Sequence, residues 1–306
     1  MTLSATFLGT SGAVPTVERN TSALHVRREG ESFLFDVGEG TQRQMMRHGT
    51  GFDVDAVFLS HVHGDHVFGL PGLVQTLDFN DRERPLDVYT PRGTGADLRD
   101  LVTAIGATPS FRLDVHEVSA GETVLERDAY GVETFRTDHR TNSVGYALVE
   151  DDRKGRFDRE HAEELGVPVG PKFSELHAGN AVELDDGTVV RPEQVVGDPR
   201  PGRTLVYTGD TRPTDATVAA AEDADLLVHD ATFTDEDAER ARQTAHSTGG
   251  EAGRIAREAG AKRLALTHIS SRYGGAVGAL KADAADEHDG ETILAHDGLT
   301  IDVPYR

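Results

Sequence analysis

The stretch "VFLSHVHGDHVFGLPG", residues 57–72, sets three histidines and an aspartate within six positions. A β-branched and aromatic run precedes the cluster and an apolar run with helical spacing follows it, so the polar residues stand where a strand gives way to a helix. In an extended or tightly turning segment His61 and His63 project to the same side, and Asp65 and His66 follow where the chain enters the helix. Two imidazoles then suit one metal ion, and a carboxylate with a third imidazole suits a neighbour. Two ions about 3.5–4 Å apart need more ligands than one loop supplies, including a carboxylate that bridges them. The rest of the chain offers His139 after "VETFRTD", Asp210 closing "LVYTGD" and His268 closing "LALTH". Each follows an apolar run, where a side chain can enter a shared cleft. His25, His48, His116, His161, His177, His288 and His296 lack this setting and read as solvated or structural.

With no cysteine in 306 residues, disulfides and thiolate metal sites are excluded. Fifty-three acidic residues against 31 basic ones leave a net charge of −22, and only four of the basic residues are lysines: Lys154, Lys172, Lys262 and Lys281. An acidic, lysine-poor surface resembles that of proteins from salt-accumulating halophiles. It opposes indiscriminate binding of polyanions, so a nucleic-acid partner has to be met by local contacts. The N-terminus carries no basic segment followed by an apolar run, and no stretch approaches the roughly 20 apolar residues of a membrane span. The expectation is a cytoplasmic protein with no membrane partner.

Short strand-like runs ("SATFLG", "SFLFDVG", "AVFLS", "LDVYT") alternate with helical stretches ("GTQRQMMRHG", "GLPGLVQTLDF"), and a strand-rich middle follows ("FRLDVHEVS", "GVETFRTDHR", "SVGYALVE"). After Arg203 the alternation resumes, with helices expected near 213–221, 247–259 and 277–286. The fold class is α/β. Between about Glu150 and Arg203 there is little sustained periodicity, several Gly and Pro residues and a basic patch, "RKGRFDR" at 153–159. This segment reads as an insertion, a flexible arm on a single domain spanning 1–306. No internal repeat or low-complexity tract is present.

The loop "HVHGDH" is similar to the H-x-H-x-D-H signature of the metallo-β-lactamase superfamily, which implies an αββα sandwich. More specific stretches resemble successive motifs of tRNase Z, the tRNA 3′-processing endoribonuclease: "GTSGAVPTVERN" (9–20), "TDHR" (137–140), "GDTR" (209–212), "HDATF" (229–233), "AHST" (245–248) and "LTHISSRY" (266–273). The resemblance runs from end to end in family order, and points to the short form of the enzyme. It implies that His61, His63 and His139 bind one zinc ion, that Asp65, His66 and His268 bind the other, and that Asp210 bridges them, with manganese an alternative at such N/O sites. It further implies that water activated between the metals attacks the phosphorus of precursor tRNA, with Asp65 as general base. The products are a tRNA 3′-hydroxyl and a trailer with a 5′-phosphate. His246 matches the residue that protonates the leaving 3′-oxygen.

This chain departs from the family pattern twice. Asp230 stands where a glutamate usually orients the proton donor, one methylene shorter, so the contact to His246 is expected to lengthen or the loops to shift. Val17 replaces the lysine of P-x-K-x-R-N, leaving Arg19 and Asn20 as substrate contacts, with Ser271 and Arg272 implied further on. Gly9 and Gly12 would let the backbone approach RNA, or else merely form a turn. The arm, by resemblance, grips the tRNA elbow through Arg153, Lys154, Arg156 and Arg159, with Phe157 among them and "VGPKF" (169–173) resembling a Gly-Pro element of the family. Members of the family are homodimers, and a homodimer is expected by resemblance alone. Two other functions compete: a general phosphodiesterase of the same fold, which has no use for an arm, and a non-catalytic tRNA-binding protein with structural metals, which needs no bridged pair.

Overall fold

The computed structural model describes residues 2–104 and 108–305. Two seven-stranded sheets dominate the described residues. The first runs, in spatial order, Thr300–Asp302, Leu3–Gly9, Ala23–Arg28, Glu31–Phe35, Ala56–Phe58, Leu86–Pro91 and Leu113–Val118. The second runs Glu291–Leu294, Arg263–Thr267, Leu226–Asp230, Thr204–Tyr207, Val144–Glu150, Tyr130–Arg136 and Thr123–Arg127.

Period-two alternation sorts each strand between two layers. Phe33 and Phe35 face the other sheet, in a cluster that joins Leu3, Phe7, Val26 and Phe58 to Val132, Tyr146, Leu148, Leu205, Tyr207 and Val228. Leu34 and Val57 point the opposite way, onto Leu70, Leu73, Val74 and Leu77 of the helix Leu70–Phe79. On the far side, Leu227, Leu264 and Leu266 pack against Ala252, Ile255 and Ala256 of the helix Gly249–Ala259. The layers are therefore helix, sheet, sheet, helix, as the resemblance implies. Phe58 centres the inter-sheet contact, with Phe35, Tyr89 and Tyr146 at 5.0, 4.9 and 5.3 Å between ring centroids. The hydroxyl of Tyr146 donates to Leu59 O at 2.8 Å, and the one polar group on that ring is thereby satisfied.

Strands Glu31–Phe35, Ala56–Phe58 and Leu86–Pro91 are parallel, as are Thr204–Tyr207, Leu226–Asp230 and Arg263–Thr267. Ligands collect outside the carboxyl ends of parallel strands. Asp36, His61, Asp210, Asp230 and His268 all lie at those ends.

The chain divides into two compact units, one formed by the residues up to Val149 and from Thr204 to Pro304, the other by Glu150–Arg203 with Tyr305. The smaller unit has short helices at Arg159–Glu164, Pro171–Ala178 and Pro192–Val195 and a hairpin of Val182–Glu183 with Val189–Val190. Its core is Ala162, Val167, Leu176, Val182, Val190 and Val195. Those positions follow no single period, which is why the segment shows none in sequence. Phe157 turns into this core against Phe173, 4.9 Å between centroids, rather than standing out beside the arginines. Lys154 and Arg156 are exposed, whereas Arg159 pairs with Glu163 at 2.8 Å. Arg153 is half-buried with its guanidinium 3.7 Å from the Tyr305 ring, on which Arg203 also lies at 3.7 Å. Arg203 makes a bidentate pair with Glu150, 2.7 Å at both contacts. Arg153 is thus less exposed than Lys154 and Arg156, its guanidinium set against the Tyr305 ring.

Candidate metal centre and catalytic pair

His61 leaves the strand Ala56–Phe58 with its Nδ1 3.0 Å from Ser60 Oγ. Ser60 Oγ donates its own proton to Asp36 Oδ2 at 2.7 Å, so it accepts from His61 Nδ1–H, and His61 Nε2 carries the lone pair. The same reasoning applies to His139, whose Nδ1–H donates to Ala245 O at 2.8 Å. His63 Nδ1 lies 2.9 Å from His61 Nε2 and 3.3 Å from His139 Nε2, while Asp210 Oδ2 is 3.6 and 3.8 Å from those two Nε2 atoms.

The second group is built in the same manner. His66 Nδ1–H donates to Asp36 Oδ2 at 2.7 Å. His268 Nδ1–H donates to Thr232 Oγ1 at 2.8 Å, because that hydroxyl gives its proton to Asp230 Oδ1 at 2.6 Å. The two Nε2 atoms are 3.4 Å apart, and each stands near Asp65 Oδ2 (3.4 and 3.2 Å) and Asp210 Oδ1 (3.3 and 3.2 Å). Asp210 Oδ1 is buried without a hydrogen-bond donor. A buried carboxylate oxygen facing ring nitrogens whose protons are spent elsewhere is costly unless a cation lies among them. The donor set therefore fits metal ions.

Electrostatics agree. Burial, with His66 next, holds His61 well below the usual imidazole range, and burial likewise lowers His63 and His139, so the first three imidazoles are neutral as ligands must be. Burial opposes charge on His66, yet Asp210, Asp36 and Asp65 outweigh it and raise that group well above its ordinary value, the mark of a locus that demands positive charge. Burial would also raise Asp65 and Asp210, but the surrounding histidines pull both below the usual carboxylate range.

Beside the second group, His246 Nδ1 donates to Asp230 Oδ2 at 2.8 Å. The shorter carboxylate therefore reaches the histidine without a lengthened contact. Asp230 is fully buried and also accepts from Thr232 N at 2.9 Å and Thr211 N at 3.1 Å. Burial disfavours charge on His246, but Asp230 more than offsets it and the pKa rises to about 9. At neutral pH His246 thus carries a proton, with Nε2–H left to donate.

Asp36 was not among the residues singled out from sequence. It is fully buried, with φ 58, and accepts from Ser60 N, Ser60 Oγ, His66 Nδ1 and Tyr207 Oη, all at 2.7 Å. Through Ser60 and directly, one carboxylate orients a histidine of each group. The available signal was the one that found Asp210, an acid closing an apolar strand ("SFLFD"). Close backbone approach is also required: Gly209 has φ 59, and a Cβ there would stand 2.4 Å from Ser60 Cβ.

Arg19 and Asn20 both make contacts within the protein. Arg19 Nη1 donates to Thr10 Oγ1 and Ala295 O, both at 2.7 Å, and Asn20 Nδ2 donates to Glu39 O at 2.6 Å, so both are engaged by the protein. Gly12 approaches the protein's own His268, whose ring atoms Cε1 and Nδ1 would be 2.7 Å from a Cβ. Ser271 and Arg272 are exposed, with Arg272 Nη1 3.3 Å from Asp237 Oδ1. Val17 is 98% exposed. His25 and His288 are buried and hydrogen-bonded, hence structural.

A family model described as Anti-Pycsar protein Apyc1 matches residues 3–155, and one described as a β-lactamase superfamily domain matches 194–269. Full-length similarity decides between branches of the fold. The chain is 64% identical over 305 residues to a ribonuclease Z of Halobacterium salinarum, covering 100% of this chain and 99% of that protein. It is 63% identical, with the same coverage, to the ribonuclease Z of Natronomonas pharaonis. The chain belongs to the ribonuclease Z family. The crystal structure of the short form of human tRNase Z superposes with a TM-score of 0.71 at 28% identity, covering 98% of this chain and 99% of that one. Both ribonuclease Z relatives come from halophilic archaea, in keeping with the acidic, lysine-poor composition of this family member.

Proposed function

We propose that this ribonuclease Z, a tRNA 3′-processing endoribonuclease, works with two zinc ions, one held by His61, His63 and His139, the other by Asp65, His66 and His268, with Asp210 shared between them. The observation that carries this reading is Asp210, whose Oδ2 faces the first group while its donor-less Oδ1 faces the second. When bound, the metals polarise a phosphoryl oxygen and lower the pKa of water. Asp65 accepts a proton at its carboxylate. His246 Nε2–H delivers one to the leaving 3′-oxygen, and Asp230 keeps Nδ1 protonated and the ring oriented. On this reading Glu150–Arg203 grips the tRNA, with Lys154 and Arg156 among its exposed cations, and two chains pair as a homodimer. The ribonuclease Z relatives align through the whole of this segment, which supports a tRNA substrate over a small diester. Among the described residues no helix is long and apolar enough to cross a membrane.

The test is incubation of the purified protein with an end-labelled precursor tRNA in concentrated KCl, with both new ends mapped. A tRNA 3′-hydroxyl and a trailer 5′-phosphate are expected. Hydrolysis of a small chromogenic phosphodiester with the precursor left intact would establish the general phosphodiesterase instead.

A further inference from the structure

Loop 10–20 begins after the strand Leu3–Gly9 and ends before the strand Ala23–Arg28, and a carboxylate from the far end of the chain gathers both of its ends. Asp297 Oδ1 accepts from Thr10 Oγ1 at 2.8 Å, and Oδ2 accepts from Asn20 N at 2.7 Å and from Gln44 Nε2 at 2.6 Å. Gln44 is a buried residue of the helix Thr41–His48, so the loop is tied to a packed element. Inside the loop Ala13 takes φ 64 and donates its N–H to Asp65 Oδ2 at 2.7 Å. That oxygen is the one facing His66 and His268. Ser11 and Gly12 pair with Ile269 and Ser270 in a short parallel ladder, which fixes the loop beside His268.

We propose that Asp297 is a positioning residue for Asp65: by tying both ends of loop 10–20 to the helix Thr41–His48, it holds the Ala13 N–H on Asp65 Oδ2 and sets the rotation of that carboxylate toward His66 and His268. A left-handed alanine is a strained conformer that persists only where its surroundings over-determine it. The bonds on Asp297 supply that constraint, and the hydrogen bond to Asp65 is its product. Asp297 thereby acts on the cluster from behind the loop. The proposal rests on the reading of Asp65 as a ligand.

The substitution Asp297→Asn keeps the shape but leaves one acceptor oxygen for three donors: with its carbonyl toward Asn20 N and Gln44 Nε2, its amide N–H₂ faces the Thr10 hydroxyl, so that bond and the carboxylate charge are lost. The expected result is a kcat lower by about 10–100-fold, the usual cost of removing an outer partner of a ligand, on precursor tRNA and on a small chromogenic phosphodiester alike. The KM for precursor tRNA stays unchanged. Calorimetric titration of the metal-free protein with zinc should show one of two equivalents weakened, a readout that a purely structural role leaves alone. Thr10→Val and Gln44→Leu each remove one of the bonds and should give the same split with smaller losses, and they carry the test if Asp297→Asn melts early by circular dichroism. Wild-type kcat and zinc binding in a folded Asp297→Asn would overturn the proposal, as would a loss confined to the KM for precursor tRNA, which would make the loop an RNA contact. If the wild-type protein cleaves the small diester and leaves precursor tRNA intact, the substrate reading fails while the diester and zinc measurements still decide the role of Asp297.

Discussion

Asp210 and His246 lie 3.9 Å apart and are expected to fail differently when truncated. Asp210→Ala removes a carboxylate with one oxygen toward each group, so metal content and activity should fall together. His246→Ala removes a proton donor, typically a loss of about 10²–10⁴-fold with the metals retained. Elemental analysis of the two variants separates the cases, and full zinc stoichiometry in Asp210→Ala would defeat the bridging assignment. His25 offers a test away from the centre. Burial, with Arg27 adding to it, lowers its pKa from 6.5 to about 4. The unfolded chain then binds the extra proton between those values, so stability is lost as pH falls through 6.5 and the loss is complete below about 4, on the order of 3 kcal/mol in all. In His25→Gln, which keeps a polar group for Ser32, the stability measured by denaturant titration should vary less over that pH window. At this scale the candidate ligands were legible because their chemistry is rare and their positions recur at strand ends. The partners of Arg19 were not legible, because Thr10 and Ala295 meet its guanidinium only in the fold.

The helices anticipated near 213–221, 247–259 and 277–286 correspond to Asp215–Ala220, Gly249–Ala259 and Gly278–Glu287. The second is the most sharply bounded. Thr248 caps its start by accepting from Glu251 N at 3.1 Å while Glu251 returns to Thr248 N at 3.0 Å, and Gly260 at φ 67 ends it. Strands Ala23–Arg28 and Thr123–Arg127 escaped notice because charged residues interrupt their alternation, and Gly95–Thr103 was not distinguished as a helix. The segment Glu150–Arg203 was recognisable as an insertion by its lack of period, although it holds a small core that no periodicity announces. Since that core is its own and the metal groups lie elsewhere in the chain, replacing 152–199 by a short Gly/Ser linker should leave small-diester hydrolysis in place. Precursor-tRNA processing should fall through loss of remote binding energy that small diesters never use. Comparing kcat/KM of the variant on the two substrates checks this, and equal losses on both would mean that the segment supports the fold of the catalytic unit.

For the molecule as a whole, charge and substrate pull in opposite directions. An ordinary basic protein loses RNA affinity steeply with salt, with a log–log slope of roughly −0.7 to −0.9 per phosphate neutralised. Here a net charge of −22 adds long-range repulsion between protein and RNA in dilute buffer. At 1 M salt the Debye length is about 3 Å, so that repulsion is screened while contacts at hydrogen-bond range persist. Lys154 and Arg156 are exposed and free to act once the global field is damped. Carboxylate self-repulsion weakens the fold at low salt as well, and the two causes combine in the same direction. Processing of precursor tRNA should therefore be weak at 0.1 M KCl, taken as the dilute reference, and rise into the molar range. Circular dichroism across the same titration distinguishes the causes: activity that climbs after the fold is complete reports screening of the RNA encounter, and activity that tracks the folding signal reports stability. An optimum near 0.1 M with steady decline above it would show that local cations, rather than release from repulsion, govern how this acidic enzyme holds RNA.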